Sequence, residues 1–269
     1  MKYLMGFIGA GNMGGALASA ACIGNGAEKI VICDKDTVKA DSLAKKLGCT
    51  ATDTKTVARE CKFIFLGLKP QIMASGLSEI AQLLKERTDR FILVTMAAGI
   101  SISAIAEMAG GRYPTIRIMP NMPASIGEAM VLYAACPGVS DEEKAEFVGI
   151  MASAGRLEEL PESLIDAGSA VSGCGPAYAF MFIEALADGG VECGLPRDKA
   201  VALAAQTLLG SARLVLEGGR HPAELKDAVC SPGGTTIAGV HALEDGGFRA
   251  ACMDAVVSAY ERTLELGKK

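Results

Sequence analysis

Over the first part of the chain, short apolar runs alternate with stretches in which apolar residues recur every three or four positions. Tyr3 to Ile8, Lys29 to Cys33, Cys49 to Ala51, Phe63 to Leu68, Arg90 to Met96, Thr115 to Met119 and Ala129 to Tyr133 read as strands. Between and after them, an alanine-rich stretch to about Cys22, then Thr37 to Leu47, Thr54 to Cys61, Pro70 to Leu84, Ser101 to Met108 and Asp141 to Ala154 read as helices. Pro70 suits a first helical turn, Ser140 an N-cap, and Gly155 the position past a helix end. This alternation predicts an α/β fold, a doubly wound parallel sheet filling residues 1–160.

From Pro161 the β-branched runs disappear, and Ala, Gly and Leu dominate long helical patterns at Ala177 to Gly189 and Arg197 to Glu217. A second, all-helical domain over 161–269 is implied. Its helices carry small apolar residues on most faces, and about 110 residues cannot cover them alone, so a dimer or larger assembly with shared helices is expected.

Composition narrows the class. The 269 residues are half hydrophobic, net charge is −5, and no basic run stands out, so nucleic acid and anionic membrane are poor partners. Nine scattered cysteines without C-x-x-C, and only two histidines, His221 and His241, argue against a disulfide scaffold and against any metal site. Neither histidine has a carboxylate or cysteine at a telling spacing. Reduced cytosol fits this cysteine usage, so a cytoplasmic protein is expected. Lys2, an apolar stretch and Ala18-Ser19-Ala20 imitate a secretory signal, yet glycines at 6, 9, 11, 14 and 15 have no purpose in one. Phe91 to Ala106 is too short and too rich in Gly, Ser and Thr for a membrane span.

Two stretches carry candidate chemistry. Gly9-Ala10-Gly11-Asn12-Met13-Gly14 is G-x-G-x-x-G between a strand and a helix: Gly9 for a tight turn, Gly11 for close approach of a pyrophosphate, Gly14 for helix–strand packing. The next strand ends in Asp34, an acid placed to accept hydrogen bonds from an adenosine ribose. Lys35 and Lys39 could instead attract a 2′-phosphate, so NADH and NADPH both stay open. Ala97-Ala98-Gly99 closes a strand with small residues that leave room in a cofactor crevice or suit any tight turn. Asn121 either reaches a site or braces the Pro120–Pro123 turn.

The other stretch runs from Pro222 to Glu244. Ala223 to Val229 reads as helix, Ser231-Pro232-Gly233-Gly234 as a turn, and Ile237, Val240 and Leu243 repeat at helical spacing from a start near Thr235. The free N–H groups and the dipole at that start, with hydroxyls of Ser231, Thr235 and Thr236, suit a small carboxylate, worth up to ~2 kcal/mol if partly buried. A plain capped turn between helices is the alternative.

FIGAGNMG, FLGLKP at 65–70, AAG at 97–99, MPNMPA at 119–124, SGCGPAYAF at 172–180, ALADGGVECGLPR at 185–197 and LKDAVCSPGGTTIAGVHALE at 225–244 span nearly the whole chain. In these motifs the chain resembles the pyrroline-5-carboxylate reductases, the last motif being specific to that family. The resemblance implies a Rossmann-type domain, a helical substrate-binding and dimerisation domain, and dimers that often assemble into rings, commonly decamers. It implies NAD(P)H-dependent reduction of 1-pyrroline-5-carboxylate to L-proline, with hydride adding to C5 of the cyclic imine. By position, Ile8, Gly9, Ala10, Gly11, Asn12 and Met13 would hold the pyrophosphate, with Asp34, Lys35 and Asp53 near the adenosine. Gly67, Leu68, Lys69 and Pro70, with Ala97, Ala98 and Gly99, would lie near the nicotinamide. Ser231, Gly233, Gly234, Thr235 and Thr236 would bind the substrate carboxylate and ring, with Thr236 at the ring nitrogen. Asp34 stands where several NADPH-preferring relatives have a small polar residue, and Cys174 where serine is frequent. A reductase of a six-membered imine or of a β-hydroxy acid, and a non-catalytic dinucleotide sensor, are the competing readings. For the hydroxy acid, Lys69 is the one candidate acid/base.

Overall fold

The computed structural model describes residues 1–267. They form two compact units, Met1–Cys174 together with the residues from Ala259, and Gly175–Ser258. In the first unit β1 (Tyr3–Ile8) leads into α1 (Asn12–Asn25), followed by β2 (Ile30–Cys33), α2 (Thr37–Leu47), β3 (Thr50–Ala51) and α3 (Thr54–Glu60). Next come β4 (Cys61–Leu66), α4 (Pro70–Glu86), β5 (Ile92–Thr95), α5 (Ile102–Met108) and β6 (Thr115–Met119). After them come β7 (Ala129–Ala135), α6 (Asp141–Met151), β8 (Gly155–Glu159) and α7 (Ile165–Ser172).

One eight-stranded sheet results, in the order β3-β2-β1-β4-β5-β6-β7-β8. β1 to β6 are parallel. β7 runs antiparallel to β6, and β8 parallel to β7. Central strands are apolar on both faces because helices cover both. On one face Phe7 stacks on Phe65 at 4.4 Å, with Leu17 and Phe147 in the same core. On the other, Ile64 and Leu66 meet Met73, Leu77 and Ile80 of α4. The segment that imitates a signal is thus part of this core: Leu17 and Ala18 are fully buried.

Helix starts follow their caps. Ser140 Oγ accepts the Glu143 N–H while Glu143 Oε2 accepts that of Ser140 at 2.9 Å, a capping box. The expected helix to Ala154 stops at Met151 and tightens into a 3₁₀ turn over Ala152–Ala154. β8 was not expected: Gly-Arg-Leu-Glu-Glu shows no buried alternation, because an edge strand paired on one side keeps polar side chains in solvent. The first unit also runs past the composition shift near Leu160, since α7 is tied to the sheet by Arg117–Asp166 and Asn121–Ser172.

The second unit holds α8 (Gly175–Glu192), α9 (Arg197–Gly218), α10 (Pro222–Val229), α11 (Thr235–Asp245) and most of α12 (Phe248–Gly267). Gly190 lets α8 and α9 approach, since a β-carbon there would lie 3.3 Å from that of Ala200. Phe182 packs on Phe248 at 5.4 Å, and the Tyr178 hydroxyl donates to the Ala255 carbonyl at 3.2 Å. Yet only Ala187, Ala200 and Ala204 are buried in this unit, while Phe180, Met181, Leu203, Leu209, Leu214 and Leu216 stand at least half exposed. Glu162–Glu192 and Arg197–Gly218 are long and apolar enough to cross a membrane by length and composition.

Ser140→Ala, which removes the capping box far from the candidate site, is expected to lower unfolding free energy by about 1 kcal/mol in urea titration, with an unchanged m value.

Candidate active site

Asp34, Gly9, Gly67 and Ala97 follow or stand at the carboxyl ends of β2, β1, β4 and β5, which are consecutive neighbours in the sheet. The glycine turn is closed by backbone contacts. The Gly9 N–H donates to the Cys33 carbonyl and the Gly67 N–H to that of Ile8, each at 2.8 Å. Gly9 has φ +107°, and a β-carbon on it would strike the Gly67 carbonyl oxygen. One on Gly14 would strike the Gly9 carbonyl oxygen, and one on Gly67 would lie 2.9 Å from it. Gly11 differs: a β-carbon there would meet nothing within 4 Å. It is the extended N-cap of α1, and no side chain caps the first N–H groups of that helix. These features fit a diphosphate on the positive end of a 14-residue helix.

Asp34 is more engaged than its spacing suggested. One carboxylate oxygen accepts the Ala10 N–H at 2.7 Å and the other the Asp36 N–H at 3.0 Å, so the acid fastens the end of β2 to the glycine turn. The Ala10 N–H is therefore already bonded within the chain. Lys35 and Lys39 are exposed, and a cleft of about 670 Å³ has Ala10, Gly11 and Asn12 on one wall and Asp36, Lys39 and Lys46 on the other. Asp53 caps α3: it accepts the Thr56 N–H at 2.7 Å, and hydrogen bonds from Thr56 hold its carboxyl below the usual range.

After Gly67, Leu68 folds over Gly76, and Lys69 is the extended, exposed N-cap of α4 ahead of Pro70. Ala97 is buried, Ala98 exposed, and Gly99 has φ +72°, its outer side against the backbone of Gly267 at the end of α12.

The second set of residues belongs to the other unit. α10 ends at Val229, Gly233 turns with φ +66°, and the Gly234 N–H donates to the Ser231 carbonyl at 3.0 Å. Ser231 Oγ lies over Gly234, where a β-carbon would strike it. α11 begins at Thr235 with Gly234 as N-cap and no capping side chain. Thr236 is half-buried, and neither it nor Thr235 has a side-chain hydrogen bond among the described residues. Lys226 pairs with Asp227 at 2.6 Å on an exposed helix face. His241, read from sequence as unpartnered, lies 3.3 Å from the exposed Asp245 one turn on, an i,i+4 spacing that was readable in the sequence. Asn121 braces: it donates to the Ser172 carbonyl at 2.9 Å and accepts the Met130 N–H at 3.0 Å. Sequence reasoning passed over Arg117, which is 3% exposed on β6 and bound to Asp166 at 2.5 Å. The signal was a lone cation inside an apolar strand, Thr-Ile-Arg-Ile-Met. Among the described residues no three His, Cys, Asp or Glu side chains converge as a metal-ligand group.

A family model described as pyrroline-5-carboxylate reductase dimerisation matches residues 162–266, and one described as NADP oxidoreductase coenzyme F420-dependent matches residues 4–99. A pyrroline-5-carboxylate reductase of Methanosarcina acetivorans is 41% identical over 98% of both chains. The chain belongs to the pyrroline-5-carboxylate reductase family. An Arabidopsis thaliana reductase of that name is 40% identical, over 99% of this chain and 96% of its own. Among solved structures, a Plasmodium falciparum pyrroline carboxylate reductase with NADP bound superposes with TM-score 0.86 at 32% identity, and one from Coxiella burnetii with TM-score 0.89 at 29%, each covering 99% of both chains. Family membership thus agrees with both halves of the fold, a dinucleotide-type sheet and a self-associating helical region.

Gly11→Ala separates ligand approach from packing. Its unfolding free energy is expected to stay within ~0.5 kcal/mol of the parent, while NADPH affinity in fluorescence titration falls at least about tenfold.

Proposed function

We propose that this chain reduces 1-pyrroline-5-carboxylate to L-proline, the last step of proline synthesis, with NADH or NADPH as the reductant. Within this family, the observation that carries the reading is the uncapped start of α11, where free N–H groups stand beside the unpartnered hydroxyls of Thr235 and Thr236. Such a helix start attracts a carboxylate, and the flanking hydroxyls add donors and acceptors for the ring.

The roles follow from that chemistry. When bound, the dinucleotide supplies a hydride to C5 of the protonated imine, and the π pair of the C=N bond becomes the nitrogen lone pair. The turn from Ile8 to Met13 holds the pyrophosphate through the N-terminus of α1. Asp34, Lys35 and Asp53 line the adenosine side. Asp34, fixed by two backbone N–H groups, places negative charge where a 2′-phosphate would sit, which favours NADH, whereas Lys35 opposes it. Gly67 to Pro70 and Ala97 to Gly99 receive the nicotinamide end. Ser231, Gly233, Gly234 and Thr235 fix the substrate carboxylate. Thr236 accepts a hydrogen bond from the iminium N–H; a threonine hydroxyl is too weak an acid to supply that proton, so the imine binds already protonated. Orientation rather than acid catalysis is the larger source of rate here.

Residues 161–269 serve as the substrate-binding and dimerisation domain. Its exposed Leu, Met and Phe faces call for a second copy, and pairs of chains build a ring such as a decamer. A bilayer is the poorer cover, because Glu184 and Asp188 interrupt α8 and Arg213 interrupts α9. The chain works as a soluble cytoplasmic enzyme.

Initial rates of nicotinamide oxidation with the five-membered and six-membered imines, each with NADH and NADPH, test the reading. Turnover is expected with the five-membered ring, and tight cofactor binding without turnover on either imine would refute it. Thr236→Ala is expected to lower kcat/KM for the imine roughly tenfold or more with unchanged NADPH affinity. Equal loss of cofactor affinity would remove Thr236 from the ring nitrogen.

A further inference from the structure

Arg117 lies on β6 between β5 and β7, 3% exposed. Its guanidinium reaches two carboxylates, Asp166 Oδ1 at 2.5 Å and Glu162 Oε1 at 3.8 Å. That same Glu162 oxygen accepts the N–H of Ile102 at 2.6 Å. Ile102 is the first residue of α5, and its N–H is one of the four that a helix start leaves unpaired. Ser101 takes another of them, from Ala104 at 3.2 Å. The start of α5 is therefore held from two sides, and the Ala97–Gly99 turn immediately precedes it. In strand register Arg117 stands beside Thr95, the last residue of β5 and the root of the same turn. The Thr95 hydroxyl and Arg117 Nε are both buried without a partner among the described residues. A pair placed there for stability alone would be outdone by a well-packed apolar side chain. What the arginine does supply is a fixed fork that spans two acids, Glu162 just before α7 and Asp166 in its first turn.

The geometry points to Arg117 as a positioning residue for hydride transfer: through Glu162 and the Ile102 N–H it fixes the Ala97–Gly99 turn against which the nicotinamide end lies. This deepens the proposed function and rests on its assignment of that turn. In the proposed function pyrophosphate binding is anchored elsewhere, at Ile8 to Met13. Loosening the 97–99 turn should therefore spare cofactor affinity and degrade the placement of the ring, to which hydride transfer is steeply sensitive.

Three variants test this. Arg117→Met removes the fork, and since Asp166 and Glu162 are 22% and 35% exposed, it strands no deeply buried charge. Glu162→Ala removes the link to Ile102 together with the 3.8 Å contact to Arg117, and leaves the Arg117–Asp166 pair. Arg117→Lys keeps the charge without the fork. For each, the measurements are NADPH Kd, the nicotinamide fluorescence of bound NADPH, kcat, the isotope effect on kcat with cofactor deuterated at the transferred position, and Tm. In Arg117→Met and Glu162→Ala, Kd is expected within about twofold of the parent, kcat down roughly tenfold, the isotope effect raised, and bound-cofactor fluorescence moved toward that of free NADPH. Arg117→Lys should fall between them and the parent. Unchanged fluorescence and isotope effect, with any lost activity tracking lost Tm, would overturn the proposal and leave a structural ion pair. If the parent turns over no imine, the function fails on its own account, and the fluorescence shift still decides the role of Arg117.

Discussion

At the carboxyl ends of β1 and β4 backbone meets backbone, and the dinucleotide end of the fold depends on that approach. The Gly9 carbonyl occupies the space where side chains of Gly14 and Gly67 would begin, so strand, following helix and neighbouring strand close together around one oxygen. A β-carbon at any of the three would push these elements apart. Gly11 alone is spared, with open space where its side chain would be. Two kinds of glycine meet there: Gly9 and Gly14 of the motif, with Gly67 after β4, are required by packing, whereas Gly11 has open space beside it.

Asp34 shows how such a turn constrains its surroundings. Its carboxylate accepts from Ala10 and Asp36, so the acid proposed for the adenosine side also holds the turn in shape. Changing it to alter cofactor choice would disturb both. The helical unit presents the opposite physical problem. Its chain has apolar residues in abundance but buries only Ala187, Ala200 and Ala204, and the dimerisation match over 162–266 names the cover that the exposed leucines and methionines require.

Much of this was legible in order and spacing. β1, α2 and β6 match their expected limits, and α11 begins at Thr235, because apolar periodicity, Pro70 in a first turn, the Ser140 cap and the glycine turns are local signals. β8 was not legible, since its Arg156, Glu158 and Glu159 face solvent on an edge that only β7 pairs. Nor was the boundary after Cys174, which depends on long-range ties from Arg117 to Asp166 and Asn121 to Ser172. The choice between site and brace for Asn121 likewise waited on its partners, because an asparagine in a double-proline turn has the same sequence in either role.

By itself, then, the sequence determined the alternation of strands and helices from β1 to α6, the glycine turn, the start of α11 and the family, since each depends on neighbours a few residues apart or on motifs kept in order. Only the tertiary structure decided the sheet order, the reversal at β7, the double engagement of Asp34 and the burial of Arg117 between two acids. Those depend on which distant groups share a hydrogen bond or exclude water together. Spacing along a chain does not carry that information.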